Sequence, residues 1–168
     1  MKILDRYILV TYLKTFLSVF IILMFIFLFK SIKLSIAGII PNIFASTFIL
    51  GLIGLFKIPL DIMTITIAAI TIGIAVDNSI HYIYRFKEEF EKNKNYYLTL
   101  DKCHDTVGVA ILNTSITIVF GFSILVLSNF IPTIYFGVFT GIAMLLAMLS
   151  VLTLLPRLIL TFKPFGNV

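Results

Sequence analysis

The sequence contains no tryptophan, one cysteine and two histidines, and only 12% of its 168 residues carry charge. Each scarcity removes a class of protein. A water-soluble domain carries charge on about a quarter of its residues, and this chain has too few ionisable groups to cover such a surface. The single Cys103 cannot form an internal disulfide, and with its neighbour His104 it falls short of a structural metal site, so no metal or cofactor is expected. The 13 basic residues outnumber the 8 acidic ones, but they sit at the ends of apolar runs rather than in a patch interleaved with stacking aromatics, which argues against nucleic acid. Enzymatic activity is not expected either.

What the chain has in excess is hydrophobicity: 60% apolar residues, 17 Phe and a mean hydropathy of +1.12. A spanning helix needs about 20 mostly apolar residues. Five stretches meet this, near 7–29, 34–56, 60–83, 107–127 and 134–161, with turn or charge signals between them. The fold class expected is an all-α, five-helix transmembrane bundle, with residues 1–168 forming a single transmembrane domain in the lipid bilayer. The first run lacks a small-residue cleavage site and leads directly into another span, so it reads as retained rather than as a signal peptide.

Orientation follows from the basic residues. Lys2, Arg6, Lys14 and Lys57 fall on one side; Lys30, Lys33, Arg85, Lys87, Lys92, Lys94, Lys102, Arg157 and Lys163 fall on the other, a ratio of 4 to 9. The positive-inside rule places the second group, together with Cys103 and the C-terminus, in the cytoplasm of a cell (inner) membrane protein, with the N-terminus outside. The cytoplasmic linker 85–106 has five basic and five acidic residues, and Glu88 can pair with Lys92 at helical spacing. Phe86 and Phe90, one turn apart, predict a short helix lying on the inner membrane surface.

An ionisable group inside a span costs at least about 2.5 kcal/mol on insertion scales, so each one calls for an explanation. Asp77 lies about five residues past the middle of the third span, roughly 7 Å from the bilayer centre. Gly73, Asp77 and His81 share one helix face, which makes Asp77 the candidate proton carrier and His81 its modulator. In the fourth span Asn113, Thr114, Ser115 and Thr117 occupy a similar depth. Asn113, Thr114 and Thr117 are the expected partners of a buried Asp77 in a proton relay. Gly137 and Gly141 form a small-x-x-x-small pair, as do Ala69 and Gly73, and predict close helix packing. Pro41 and Pro156 are tolerated near helix ends if neighbours satisfy the freed carbonyls. Lys14 is read as snorkelling outward.

Several segments together resemble a known family. They are Pro41-Asn42, Ile58-Pro59-Leu60-Asp61, the stretch from Gly73 through Asp77 to His81, and Arg85-Phe-Lys-Glu-Glu89, followed by Gly121-Phe122, Leu127-Ser128, Phe136-Gly137 and Leu154-Leu155-Pro156. In order and spacing they are similar to the resistance-nodulation-division (RND) superfamily, and within it to exporters of the mycobacterial-membrane-protein-large (MMPL) type. The resemblance covers the chain from Lys30 onward and corresponds to the last five helices of the second transmembrane half. It implies proton antiport by the carboxylate of a Gly-x-x-x-Asp helix, here Gly73 and Asp77, driving efflux of lipids or other hydrophobic molecules. It also implies a complementary transporter half or subunit with extracytoplasmic domains, which 168 residues cannot contain. Asn78 departs from the family pattern, in which Tyr or Asp is common. The alternatives are a protein-translocase accessory subunit of the same superfamily and a non-transporting scaffold or regulatory membrane subunit.

Overall fold

The structure is a computed structural model that describes residues 31–59 and 61–166, apart from the side chain of Ile32. Four helices occupy this range: α1 (Ile32–Leu55), α2 (Ile62–Asn93), α3 (Tyr96–Leu127) and α4 (Ile131–Phe162). All four are long and apolar enough to cross a membrane. The span expected at 7–29, and Lys14 within it, lie outside the described residues. Expectation and structure therefore agree on four spans.

The helix starts and stops have local causes. Asp61 caps α2: the Thr64 N–H donates to Asp61 Oδ1 at 2.8 Å, and the Asp61 N–H donates to Thr64 Oγ1 at 2.8 Å. The Thr64 N–H holds the Asp61 carboxyl below its ordinary range, so a negative charge stays at the positive end of the helix dipole. At the far end of α2 the chain turns through Lys94 in a left-handed conformation (φ 49°), and Asn95 then caps α3 by accepting from Tyr97 N–H and Leu98 N–H. Helices α1 and α4 also stop at left-handed lysines, Lys57 (φ 53°) and Lys163 (φ 38°).

At 32 residues, α2 is about 48 Å long, well beyond the roughly 30 Å hydrocarbon core. This corrects the reading of the charged linker. Arg85 to Asn93 continues α2, and Tyr96 to Cys103 opens α3, so this stretch forms no separate helix of its own. Phe86 and Phe90 do not face a membrane surface: both are buried, and they stack with Tyr96 and with Phe165 from the chain's tail. The Tyr96 hydroxyl donates to the Gly166 carbonyl (3.1 Å) and accepts from the Phe165 N–H (3.0 Å), which ties that tail to the corner between α2 and α3.

Helix α4 is central, packing against α1, α2 and α3, while α1 and α2 also pack on each other. Midway along the bundle Ala45, Ala75 and Ala147 bring α1, α2 and α4 into close approach. Helix α3 is different. Its membrane part docks along an edge made by Ile111 and Ser115, with only 11% of its apolar stretch buried against 56% for α4. Two helices carry one-turn π segments near the charged end, His104–Gly108 in α3 and Ser150–Leu154 in α4.

Cys103 is fully buried between these helices, and burial pushes its thiol up to about 11. A maleimide is therefore expected to leave the native protein unlabelled at pH 7 on either side of the membrane and to react after denaturation. The exposed neighbour serves topology better: Asp101→Cys is expected to label only from the cytoplasmic face. Labelling of this variant in intact cells would reverse the orientation derived from the lysines and arginines.

Candidate functional site

The buried arc of α2 runs through Ala75, Val76, Asn78, Ser79, Tyr82 and Ile83, facing α1 and α4. Asp77 and His81 fall on the opposite arc. Asp77 Oδ1 lies 3.5 Å from His81 Nε2, and the two side chains are 69% and 68% exposed. Ala69 and Gly73 continue the same exposed stripe, and a Cβ at Gly73 would meet nothing within 4 Å. The stripe expected from sequence is therefore present, with a carboxylate-imidazole pair at its centre.

Its expected partners are not assembled within this chain. Asn113, Thr114 and Thr117 are exposed on α3, and the Thr114 and Thr117 hydroxyls donate to carbonyls of their own helix, Ala110 O and Asn113 O, each at 2.9 Å. Among the described residues no hydrogen bond or ion pair joins them to Asp77. The reason is topological: the membrane part of α3 packs on α4, whereas α2 meets mainly the beginning of α3. Burial of Asp77 against the fourth span is thus corrected. The chain instead presents two exposed polar stripes, one on α2 and one on α3. Gly137 packs tightly, since an added Cβ would lie 2.7 Å from Phe122 O and 2.8 Å from Leu125 Cβ; a Cβ at Gly141 would meet only Val119 at 4.0 Å.

Three buried polar contacts escaped the sequence reading. Ser79 Oγ donates to Asn42 Oδ1 (3.2 Å) and to Ala75 O (2.9 Å), while Asn42 Nδ2 donates to Gly38 O (2.9 Å), so the residue after Pro41 links α1 to α2. Glu89 is 5% exposed and accepts from Arg85 and Lys92, each at 3.1 Å, with Lys102 at 3.9 Å. The pair predicted from spacing, Glu88 with Lys92, is present beside it at 2.9 Å, and Lys92 lowers the Glu88 carboxyl. The third is His104, 3.2 Å from the Tyr82 hydroxyl through Nδ1 and 3.1 Å from Leu152 O through Nε2. Spacing offered a signal for Glu89, one turn from Arg85, and none for the contacts that join separate helices.

Comparison with known proteins agrees with this architecture. The family model described as the MMPL family matches residues 1–167. The chain is 34% identical over 129 residues to a membrane protein of Methanocaldococcus jannaschii, covering 74% of this chain and 32% of that protein. It is 28% identical over 141 residues to the hopanoid transporter HpnN of Burkholderia multivorans, covering 80% of this chain and 16% of the transporter. The chain thus spans a third or less of the length of these relatives. No solved structure matches. With the family model matched over nearly its whole length, the chain belongs to the MMPL family.

Proposed function

We propose that this chain is the membrane portion of a proton-motive-force-driven exporter of lipids or other hydrophobic molecules, with Asp77 carrying the proton and a complementary transporter half or subunit covering the exposed stripes. The observation that supports this most is the exposure of the Asp77–His81 pair on a helix that spans the membrane. A carboxylate facing hydrocarbon costs about 2.5 to 3.5 kcal/mol on insertion scales. Small residues at Ala69 and Gly73 leave room for a second helix to approach the same face. A partner supplying polar groups there removes the cost and completes a site in which the proton can be taken up and released. Asn113, Thr114 and Thr117 act in this reading through that partner, not by direct contact with Asp77. His81, one turn from Asp77 on the same exposed face, lies within reach of its carboxylate.

The hydrophobic cargo follows from the relation to a hopanoid transporter and from the apolar surface of the helices. The reading is tested in vesicles carrying the chain with its partner segments. Efflux of a fluorescent lipid analogue is expected to follow an imposed pH gradient and to stop when a protonophore collapses it. Efflux that continues unchanged after collapse overturns the proton-driven reading.

A further inference from the structure

We propose that His104 is a protonation-controlled latch joining α2, α3 and α4, distinct from the Asp77 face. Its origin lies in Pro156. A proline has no N–H to offer the carbonyl four residues earlier, here Leu152 O, which lies in the π segment Ser150–Leu154. That carbonyl is met from the neighbouring helix by His104 Nε2 at 3.1 Å. His104 opens the π segment of α3, and Gly108 at the end of that segment approaches the Leu152 side chain, so the two π turns face each other. Single π turns of this kind recur at functional positions.

The other ring nitrogen faces two groups. Nδ1 lies 3.2 Å from the Tyr82 hydroxyl and 3.1 Å from Leu100 O. Leu100 O already accepts the backbone N–H of His104, whereas Leu152 O receives no N–H from Pro156. A neutral ring therefore carries its one proton on Nε2, donating to Leu152 O, and accepts the Tyr82 O–H at Nδ1. In that state all three helices are joined through one imidazole. When the ring takes a second proton, Nδ1 becomes a donor, with Leu100 O and the Tyr82 oxygen both in reach as acceptors. The Tyr82 hydroxyl, on a fully buried side chain with no other hydrogen bond among the described residues, then loses its acceptor.

Protonation thus keeps the α3–α4 bond and leaves the buried Tyr82 O–H on α2 without an acceptor, which weakens the α2–α3 join, so the latch is closed at high pH and loosens as pH falls. The charged groups along the packed elements leave this logic intact. On α2, Arg85 is paired with Glu88 and Glu89; on α3, Asp101 and Asp105 are exposed, Lys102 reaches toward Glu89, and Cys103 is a buried thiol. Arg157 on α4 and Lys33 on α1 are exposed.

The test uses the full chain in lipid nanodiscs. Nitrogen NMR with labelled histidine, assigned through the second histidine by His81→Gln, is expected to show His104 protonated on Nε2 and bare on Nδ1 at pH 8. Hydrogen exchange over residues 100–108, expressed as protection relative to intrinsic rates, is expected to fall roughly three- to tenfold between pH 8 and pH 5.5, the effect of one lost hydrogen bond. His104→Gln, which cannot titrate, and Tyr82→Phe, which has no hydroxyl to release, are each expected to abolish that pH dependence. A ring protonated on Nδ1 at pH 8 overturns the proposal, as does protection that is independent of pH in the wild type. So does a pH response of wild-type size in either variant.

Discussion

Replacing Asp77 with Asn is expected to abolish proton-coupled export while the protein inserts and accumulates at the wild-type level. The substitution keeps the size and the hydrogen-bonding capacity of the side chain and removes only its titration. Because Asp77 is exposed on the surface of the chain, Asn leaves the packing of α2 on α1 and α4 untouched. Contacts between polar groups of neighbouring membrane helices are worth about 0.6 to 2 kcal/mol, and an amide supplies them as well as a carboxylate does. A role limited to gluing the chain to its partner would therefore survive the change. The measurement is efflux of the lipid analogue at matched protein level, with His81→Gln in parallel to read any change in its pH profile. Export by Asp77→Asn at the wild-type rate would assign Asp77 to assembly alone.

The second large effect is expected at Gly137. Even the single methyl of Gly137→Ala would sit 2.7 Å from the Phe122 carbonyl oxygen, which is backbone and cannot swing aside, so α3 and α4 must move apart. Overpacking of this kind costs about 1 to 3 kcal/mol. Helix α3 has little else to hold it, since its membrane part docks on α4 along one edge. Gly137→Leu is therefore expected to detach the α3–α4 pair and sharply lower the amount of folded protein in mild detergent. Gly73→Ala is the control: with nothing within 4 Å of its Cβ, it is expected to leave the chain's own stability unchanged or slightly raised, since Ala favours helix over Gly by about 1 kcal/mol. Thermal unfolding followed by circular dichroism compares the three, and a Gly137→Ala midpoint equal to that of the wild type would remove the close-packing argument.

The extent of each apolar helix along the chain was legible in the sequence; direction around each helix was not. Apolar runs of about 20 residues mark membrane segments whatever surrounds them, and they located all four described helices to within a few residues at their apolar ends. The place of Asp77 along α2 followed from counting residues. Which arc of α2 faces inward depends on which helices pack there, and neighbours in sequence are not always neighbours in space. Placing Asn113, Thr114 and Thr117 beside Asp77 assumed that α2 and α3 lie side by side through the membrane, whereas α4 is the helix that both of them pack against.

The charged stretch shows the same limit in another form. Composition marked residues 85–106 as water-facing, and spacing correctly paired Glu88 with Lys92. That pair, together with Arg85–Glu89, bridges successive turns of α2, which runs through this stretch as one unbroken helix. Phe86 and Phe90 looked like a membrane-facing edge because their cover, Phe165, comes from the other end of the chain. The position of Pro156 was readable, and so was the need for a neighbour to satisfy its freed carbonyl. That the neighbour is His104 required the fold, because 48 residues separate His104 from Leu152.

The three left-handed lysines bear on how the bundle is moored. Glycine would adopt the same backbone at Lys57, Lys94 and Lys163 without the roughly 1 kcal/mol that a side chain adds there. Each lysine is exposed at the foot of a helix, one at one end of the bundle and two at the other. At the ends of apolar stretches, as at Lys57 and Lys163, long cationic side chains reach the headgroup layer and resist being drawn into hydrocarbon, while Lys94 stands farther out on the charged extension of α2. Replacing all three with glycine would ease the local backbone and at the same time free the bundle to tilt or shift along the bilayer normal. In lipids of unequal chain length the wild type would have to thin or thicken the bilayer around these fixed points, whereas the triple variant would follow the bilayer by changing its tilt.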